Sequence, residues 1–390
     1  MKRTLKRLLC VLLVAMIALS LAACGGGKSD QQQSSQQTTQ DGNSGDAQSQ
    51  GDSQPQTGLK KLTISHHPVL SGLPAYVAIQ KGFFEEEGLD VDMDVYISGA
   101  SQMEALPSGS WSCGGAGATA GCLGTIGYGL SLLGFVGWDG PIDIFVREDS
   151  DIYQAGQGHV DGYPEIYGTA ENWKGKEFLL PNGTTAHLAL LATLDDLGLK
   201  EEDVTITHME VPAAQNAFLA GEGDGCGQWI NFSLQAESYG WKRVTSSDAA
   251  GIGIPNVLFA SEDIIKNDPD AVVSYIKGYL KAWYWMEKNP EETAALFYQY
   301  EMEEGVDTTE ENCAKLAGDC LPPSVDEMLA MYEVDETGKT PYYNHLSKVL
   351  SYFLNMGKYT QEQVDLALSG QKMNSELMVR ALTELKSEGY

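Results

Sequence analysis

Between residues 59 and 260 short apolar or alternating segments take turns with helical ones, and that rhythm admits few architectures. Strands are predicted at 59–65, 91–97, 132–136, 142–146, 176–180, 204–208, 224–228, 241–245 and 256–260. Between them the pattern predicts helices at 75–87, near 100–109, at 188–197 and at 213–220. Gly88 is placed to stop the first helix, Thr184 to start the third and Gly198 to close it. Alternation of this kind argues for parallel or mixed sheets covered on both faces. A run of helices follows, at 262–267, 270–288, 291–301, 324–332, 342–355, 361–368 and 374–387, and is expected to pack onto the first lobe. The stretch 114–129 carries seven glycines, and Gly117, Gly121 and Gly124 suggest a tightly packed helix behind a loop. It is not a dinucleotide fingerprint, because no acidic residue ends a strand about twenty positions on.

The chain has 390 residues, which favours two lobes. Its 25 Lys and Arg against 54 Asp and Glu leave a net charge of −29, which excludes a basic face for nucleic acid and electrostatic docking on anionic lipid. Lys2, Arg3, Lys6 and Arg7 precede an apolar run of secretory-signal length at 8–21. That run ends in Leu21-Ala22-Ala23-Cys24 and three glycines, which resembles a bacterial lipoprotein signal with Cys24 lipidated; an ordinary secretory signal is the plainer reading. Residues 1–23 are therefore expected to be a signal peptide, and 24–58, almost devoid of apolar side chains, a disordered tether. As a flexible coil the tether would span roughly 30–35 Å. The expected location is the extracytoplasmic face of the cell membrane. Five further cysteines, 113, 122, 226, 313 and 320, include Cys313 and Cys320, close enough in sequence for a local disulfide. No Cys or His spacing suggests a metal site, and no cofactor is expected.

Three segments carry a family resemblance. Tyr76-Val-Ala-Ile-Gln-Lys-Gly82-Phe-Phe-Glu-Glu-Glu-Gly88 resembles the opening of solute-binding proteins of the nitrate, sulfonate and taurine transporter group, whose relatives bind thiamine-precursor pyrimidines. Trp173-Lys-Gly-Lys followed by Pro181-Asn-Gly-Thr-Thr, and Leu219-Ala-Gly-Glu-Gly-Asp224 through Trp229, resemble the same family's second lobe. The resemblance implies the two-lobed periplasmic-binding-protein fold (type II), α/β with mixed sheets flanked by helices and a helical C-terminal region. It implies lobe 1 at 59–147 and 250–390, lobe 2 inserted at 148–249, two crossover strands as hinge, and an ABC permease with its ATPase as partners. The chain departs from the family at Trp111-Ser112-Cys113, where Ser112 replaces the usual Asp.

Ligands of open α/β sheets sit outside the carboxyl ends of the strands. That rule nominates the loops at 65–67 with 72–76, 99–101, 114–119, 137–139 and 182–187, with 228–231 facing the last. The candidate ligand-binding residues are His66, His67, Tyr76, Ser101, Thr119, Trp138, Asp139, Asn182, Thr184, Thr185, His187 and Trp229. Helix starts after the glycine loops offer N–H groups to an anion. Yet none of these loops holds Arg or Lys, while Trp138, Trp229, Tyr76 and Asp139 suit a planar or cationic group. Each has a plainer reading: Trp138 and Trp229 as core or hinge packing, His66 and His67 as strand-end caps, Asp139 as a turn cap, Asp224 as a loop brace. Trp283 and Trp285 fall at core positions, and the acidic runs 85–87, 201–202 and 301–304 are expected to be solvated.

The resulting expectation is a monomeric binding lipoprotein that delivers a small organic solute, sulfonate- or taurine-like or planar and amine-bearing, to an ABC importer. A ligand-sensing lipoprotein serving a membrane receptor is the alternative. An enzyme of the pyrimidine-synthase branch is disfavoured, because the cysteine-rich cluster of that branch is missing.

Overall fold

The computed structural model describes residues 58–318 and 321–390. The expected signal peptide, Cys24, the tether apart from Gly58, and Cys320 lie outside the described residues. Two five-stranded sheets organise the rest. The first contains β1 (Lys60–His66), β2 (Leu89–Val95), β3 (Cys113–Gly117), β4 (Leu130–Trp138) and β10 (Pro255–Ser261), in the order β2-β1-β3-β10-β4. The second contains β5 (Asp143–Val146), β6 (Glu177–Leu180), β7 (Thr205–His208), β8 (Gly225–Gln228) and β9 (Lys242–Ser246), in the order β7-β6-β8-β5-β9.

Both sheets follow one plan. In each, the fourth strand runs antiparallel to its two neighbours, β10 between β3 and β4 and β5 between β8 and β9. These are the strands with which the chain enters a sheet after crossing from the other. The first crossing therefore falls between Trp138 and Asp143, so β5, expected in the first lobe, pairs in the second. A four-residue strand buried at every position carries no mark of which sheet it joins.

Local chemistry explains most element ends. The helix expected over 75–87 is broken: Leu73–Lys81 ends at Gly82 (φ 78°), whose N–H bonds Ala78 and Ile79 carbonyls, and a short helix Phe83–Glu86 follows. Gly82 reaches the left-handed region without a Cβ penalty, so it caps the first helix a turn before Gly88 is needed. The glycine-rich stretch forms β3 and then the helix Ala118–Gly127. Helices at Ile230–Ser238 and Glu310–Gly318 went unforeseen. Cys313, on the second of these, is a free buried thiol that donates to a Glu301 carboxylate oxygen at 3.3 Å.

The helical tail does not pack on the first sheet alone. Val349, Tyr352 and Phe353 of the helix Pro341–Asn355 belong to the apolar core of the second lobe, with Trp173, Phe178 and the helix Thr185–Asp196. Lys358 pairs with Glu201 at 2.6 Å across the same seam. The acidic runs are also more engaged than expected. Glu87 pairs with Lys277 and Lys281, Glu201 with His187 and Lys358, and Glu301 is fully buried. An acidic run looks solvated in sequence because its cations arrive from distant helices.

In the first lobe the 20-residue helix Pro269–Lys288 crosses the helices that follow β1, with Phe84 stacked on Tyr275 at 5.9 Å. Gly278 permits that approach: a methyl group there would lie 2.4 Å from Phe84 Cδ1. Gly278→Ala is expected to lower unfolding free energy by about 1–3 kcal/mol through overpacking, which urea denaturation would measure; an unchanged midpoint would show that the crossing relaxes freely.

Candidate functional site

A cleft of about 360 Å³ lies between the two sheets, at the edge where the carboxyl ends of their parallel strands meet. Its wall from the first lobe includes His67, Ile97, Gly117, Trp138, Asp139, Asn256 and Trp283. From the second come Thr184, Thr185, Trp229, Ile230 and Asn231, and the helix Glu310–Gly318 adds Lys315 and Leu316. The lobes are in direct contact across it. A methyl group at Gly117 would lie 2.5 Å from Thr185 Cγ2, Ser98 Oγ donates to Glu210 at 2.9 Å, and Asn231 Nδ2 donates to Glu301 Oε1 at 2.9 Å.

Three helices open onto the cleft with no side chain capping them. Their N-cap residues are Gly117, Thr184 and Trp229. Glycine and tryptophan have no acceptor to offer, and the Thr184 hydroxyl donates to the Pro181 carbonyl at 2.7 Å. Asp139 sits among these ends: its Oδ2 lies 3.3 Å from the position a Gly117 methyl would take, and Thr185, Asn256 and the Gly140 N–H bond its carboxyl. Partly positive helix ends favour a negative group, and here the protein supplies one of its own. Burial outweighs those bonds and pushes the Asp139 carboxyl up to about 7.

The aromatic wall has three tryptophans. Trp229 Nε1 donates to Thr185 Oγ1 at 3.0 Å, which pins the ring. Trp138 is 47% exposed and packs edge-on against Phe135 and His345. Trp283, expected in the core, is 7% exposed and borders the cleft, and among the described residues its Nε1 has no partner. Two cations reach the site that no strand-end loop revealed. Arg243 is neutralised by Asp143 at 3.2 Å and Glu237 at 2.7 Å, whereas Lys315 is exposed.

Of the twelve candidate residues, the structure brings His67, Trp138, Asp139, Thr184, Thr185 and Trp229 to the cleft. The other six are not among its lining residues. His66 is fully buried, bonded through Nε2 to the Tyr275 hydroxyl at 2.8 Å, and burial pushes it down to about 3. Tyr76 stacks on Tyr300 and donates to Glu303 at 2.9 Å. Ser101 completes a capping box with Ser98. Thr119 is buried inside its helix. The Asn182 N–H donates to His208 Nδ1 at 3.0 Å. His187 Nδ1 accepts from the Gly183 N–H at 3.1 Å while its Nε2 faces Glu201 at 3.5 Å, so it braces the loop it was expected to present. Trp111, beside the departing Ser112, packs on Phe259 in the core. Asp224 braces its loop by accepting the Glu177 N–H at 2.9 Å.

Asn256 was missed for a topological reason. β10 is antiparallel, so its beginning, not its end, reaches the edge where its neighbours finish. Trp283 and Lys315 come from the tail, which no strand-end rule addresses. Asn231 was in view as part of a facing loop, and only its bond to Glu301 distinguishes it.

Two sheets, each with one antiparallel strand and a cleft between them, define the periplasmic-binding-protein fold. Residues 71–120 and 168–293 match the NMT1/THI5-like family model. A protein of Brachyspira hyodysenteriae named as an ABC transporter periplasmic binding protein is 29% identical over 65% of this chain and 72% of its own. The taurine-binding periplasmic protein of Escherichia coli is 28% identical over 54% of this chain and 62% of its own. The periplasmic aliphatic sulphonate binding protein SsuA of Escherichia coli superposes with a TM-score of 0.61 at 17% identity, covering 82% of this chain and 98% of that one. The relatives are thus named as periplasmic binding proteins, the first of them of an ABC transporter.

The buried carboxyl has a measurable signature. Asp139 holds its proton in the native state up to about pH 7, whereas the unfolded carboxyl releases it near pH 4. Stability therefore falls as pH rises through that window and stays lower above it. Asp139→Asn removes the charge, so at pH 8 it is expected to be more stable than the parent by about 1–3 kcal/mol, with the difference closing toward pH 4. Denaturation at both pH values reads this directly; a variant less stable at pH 8 would mean that the carboxylate is held by the helix ends rather than strained.

Proposed function

We propose that this protein is the extracytoplasmic solute-binding component of an ABC importer. It captures a small organic solute, sulfonate- or taurine-like or planar and amine-bearing, and presents it to the permease with its ATPase. The observation that carries the reading is the cleft: about 360 Å³ between two lobes, walled by Trp138, Trp229 and Trp283. That volume matches a small organic molecule, and an apolar wall with a few polar groups is the usual character of such sites. A bare inorganic anion would leave most of the aromatic surface unused.

The lobes close by bending where the chain crosses between the sheets, at 139–142 and 247–254. Only contacts made in the closed state can drive closure, and the solute supplies them by touching Trp138 on one side and Trp229 on the other. The protein works as a monomer and performs no chemistry on its solute. A lipid on Cys24 and the polar tether keep it near the permease; lipoprotein cysteines carry more than one acyl chain, and two signals are what stable anchoring takes.

Protein purified from its own cells is expected to release a solute on denaturation, identified by mass spectrometry. Trp229→Ala is expected to weaken rebinding of that solute at least tenfold, and to lower the melting temperature as well, because the ring borders the cleft and also packs against Phe232 and the second lobe's core. Calorimetric titration decides it, and unchanged affinity would remove Trp229 from the site. Separately, Cys24→Ala should move the protein from the membrane to the soluble fraction on cell fractionation.

A further inference from the structure

We infer that the tail segment 301–316 is a latch: the first lobe carries it, it docks on one face of the helix Ile230–Ser238 of the second lobe, and it sets how readily the two lobes part. This rests on the solute-binding reading above. It assigns part of the hold on the closed cleft to Gln235, Val306 and Asp307, which are not among the cleft's lining residues.

Each side of the contact is fastened to its own lobe. The segment leaves the helix Pro290–Glu303, whose Phe297 is buried in the core of the first lobe and whose Tyr300 hydroxyl donates to the His67 carbonyl at 2.8 Å. Gly305 turns the chain at φ 72°, the Val306 N–H donates to the Glu301 carbonyl at 2.8 Å, and Cys313 and Leu316 return into the same core. Opposite, the helix Ile230–Ser238 is held to the second lobe by Ala236, which packs with Phe145, Cys226 and Trp241. The contact therefore joins two bodies and belongs to neither alone.

The seam uses positions one turn apart. Ile230 and Leu234 pack against the first lobe's core, Asn231 Nδ2 donates to Glu301 Oε1 at 2.9 Å, and Gln235 Nε2 donates to Asp307 Oδ2 at 2.6 Å. Residues four apart share a helix face, so these four present one docking stripe. In the opposite direction Val306, 5% exposed, packs with Val211 and Phe232 of the second lobe. The seam begins beside the first crossing, where a methyl group at Gly140 would lie 3.2 Å from Ile230 Cγ2, and reaches the Gln235–Asp307 bond more than a turn farther along the helix. Bending at the crossing parts the far contacts most. Both amides donate to carboxylates, the stronger class of hydrogen bond. None of these bonds involves a solute, so they favour the closed form equally for every solute. The latch raises affinity by raising the share of closed protein and leaves selectivity to the cleft.

The test needs no solute and uses the full chain after exhaustive dialysis. Val306→Asp sets a carboxylate in the apolar cluster, and undocking the segment returns that charge to water. Small-angle X-ray scattering is expected to show a larger radius of gyration than the parent, with helix content by circular dichroism retained. Gln235→Glu is the milder variant: at low salt it sets one carboxylate against another at Asp307 and should enlarge the radius too. Adding Asp307→Lys to it restores an attractive pair and should return the radius to the parental value, which general loss of stability would not do. The latch stands if Val306→Asp enlarges the radius while folded, or if Gln235→Glu enlarges it and Asp307→Lys reverses the change. Any other result overturns it. The solute-binding reading is decided separately, by whether a solute retained from the cell is released on denaturation.

Discussion

The carboxyl group of Asp139, held between the starts of two helices from opposite lobes, is the constraint around which the rest of the site is arranged. It occupies the place that helix ends reserve for an anion, and it does so where water is scarce. Those two facts pull against each other. The helix ends and the bonds from Asn256, Gly140 and Thr185 favour the charged form, while burial favours the neutral one and prevails, pushing the group up to about 7.

The fold supplies the geometry that makes this placement possible. Each sheet receives its antiparallel strand directly from a crossing, so the chain passes between lobes twice within a few residues of the cleft. Trp138 ends one strand of the first sheet and Asp139 begins the first crossing; Asn256 stands at the start of the strand that completes the second. The helical tail then ties the lobes from two further directions. The helix Pro341–Asn355 packs into the core of the second lobe, and Glu301 with Glu310–Gly318 reaches over to Asn231. The lobes are therefore joined by more than two crossover strands. The buried Asn231–Glu301 bond ties the cleft to the tail.

Much of the architecture was legible in the chain, because hydrophobic period and glycine position act locally. The order of strands and helices, the closing of a helix at Gly198 and the helical nature of the tail all follow from residues within one or two turns of each other. The errors share one cause. The split at Gly82, the sheet to which β5 belongs, the tail helix serving the second lobe and the pairing of the acidic runs all depend on partners far away in sequence. The same division runs through the site. His67, Trp138, Asp139, Thr184, Thr185 and Trp229 lie where parallel strands end, and that rule finds them. His66, Tyr76 and His187 obey the rule in sequence but spend their polar atoms on Tyr275, Glu303 and a loop amide, because each points back into its own lobe.

By itself the sequence determined that the chain is an α/β protein with mixed or parallel sheets and a helical tail, since periodicity and turn chemistry are short-range properties. It also determined a strongly acidic surface and an N-terminal segment with the marks of an export signal. The tertiary structure alone decided which polar atoms remain unpaired when the lobes meet. Whether Asn231, Asn256 and Trp283 keep an unpaired atom depends on Glu301, the Trp138 carbonyl and the packing of the helix Pro269–Lys288. Hydrogen-bond satisfaction is a property of the assembled neighbourhood, and no stretch of chain carries it alone.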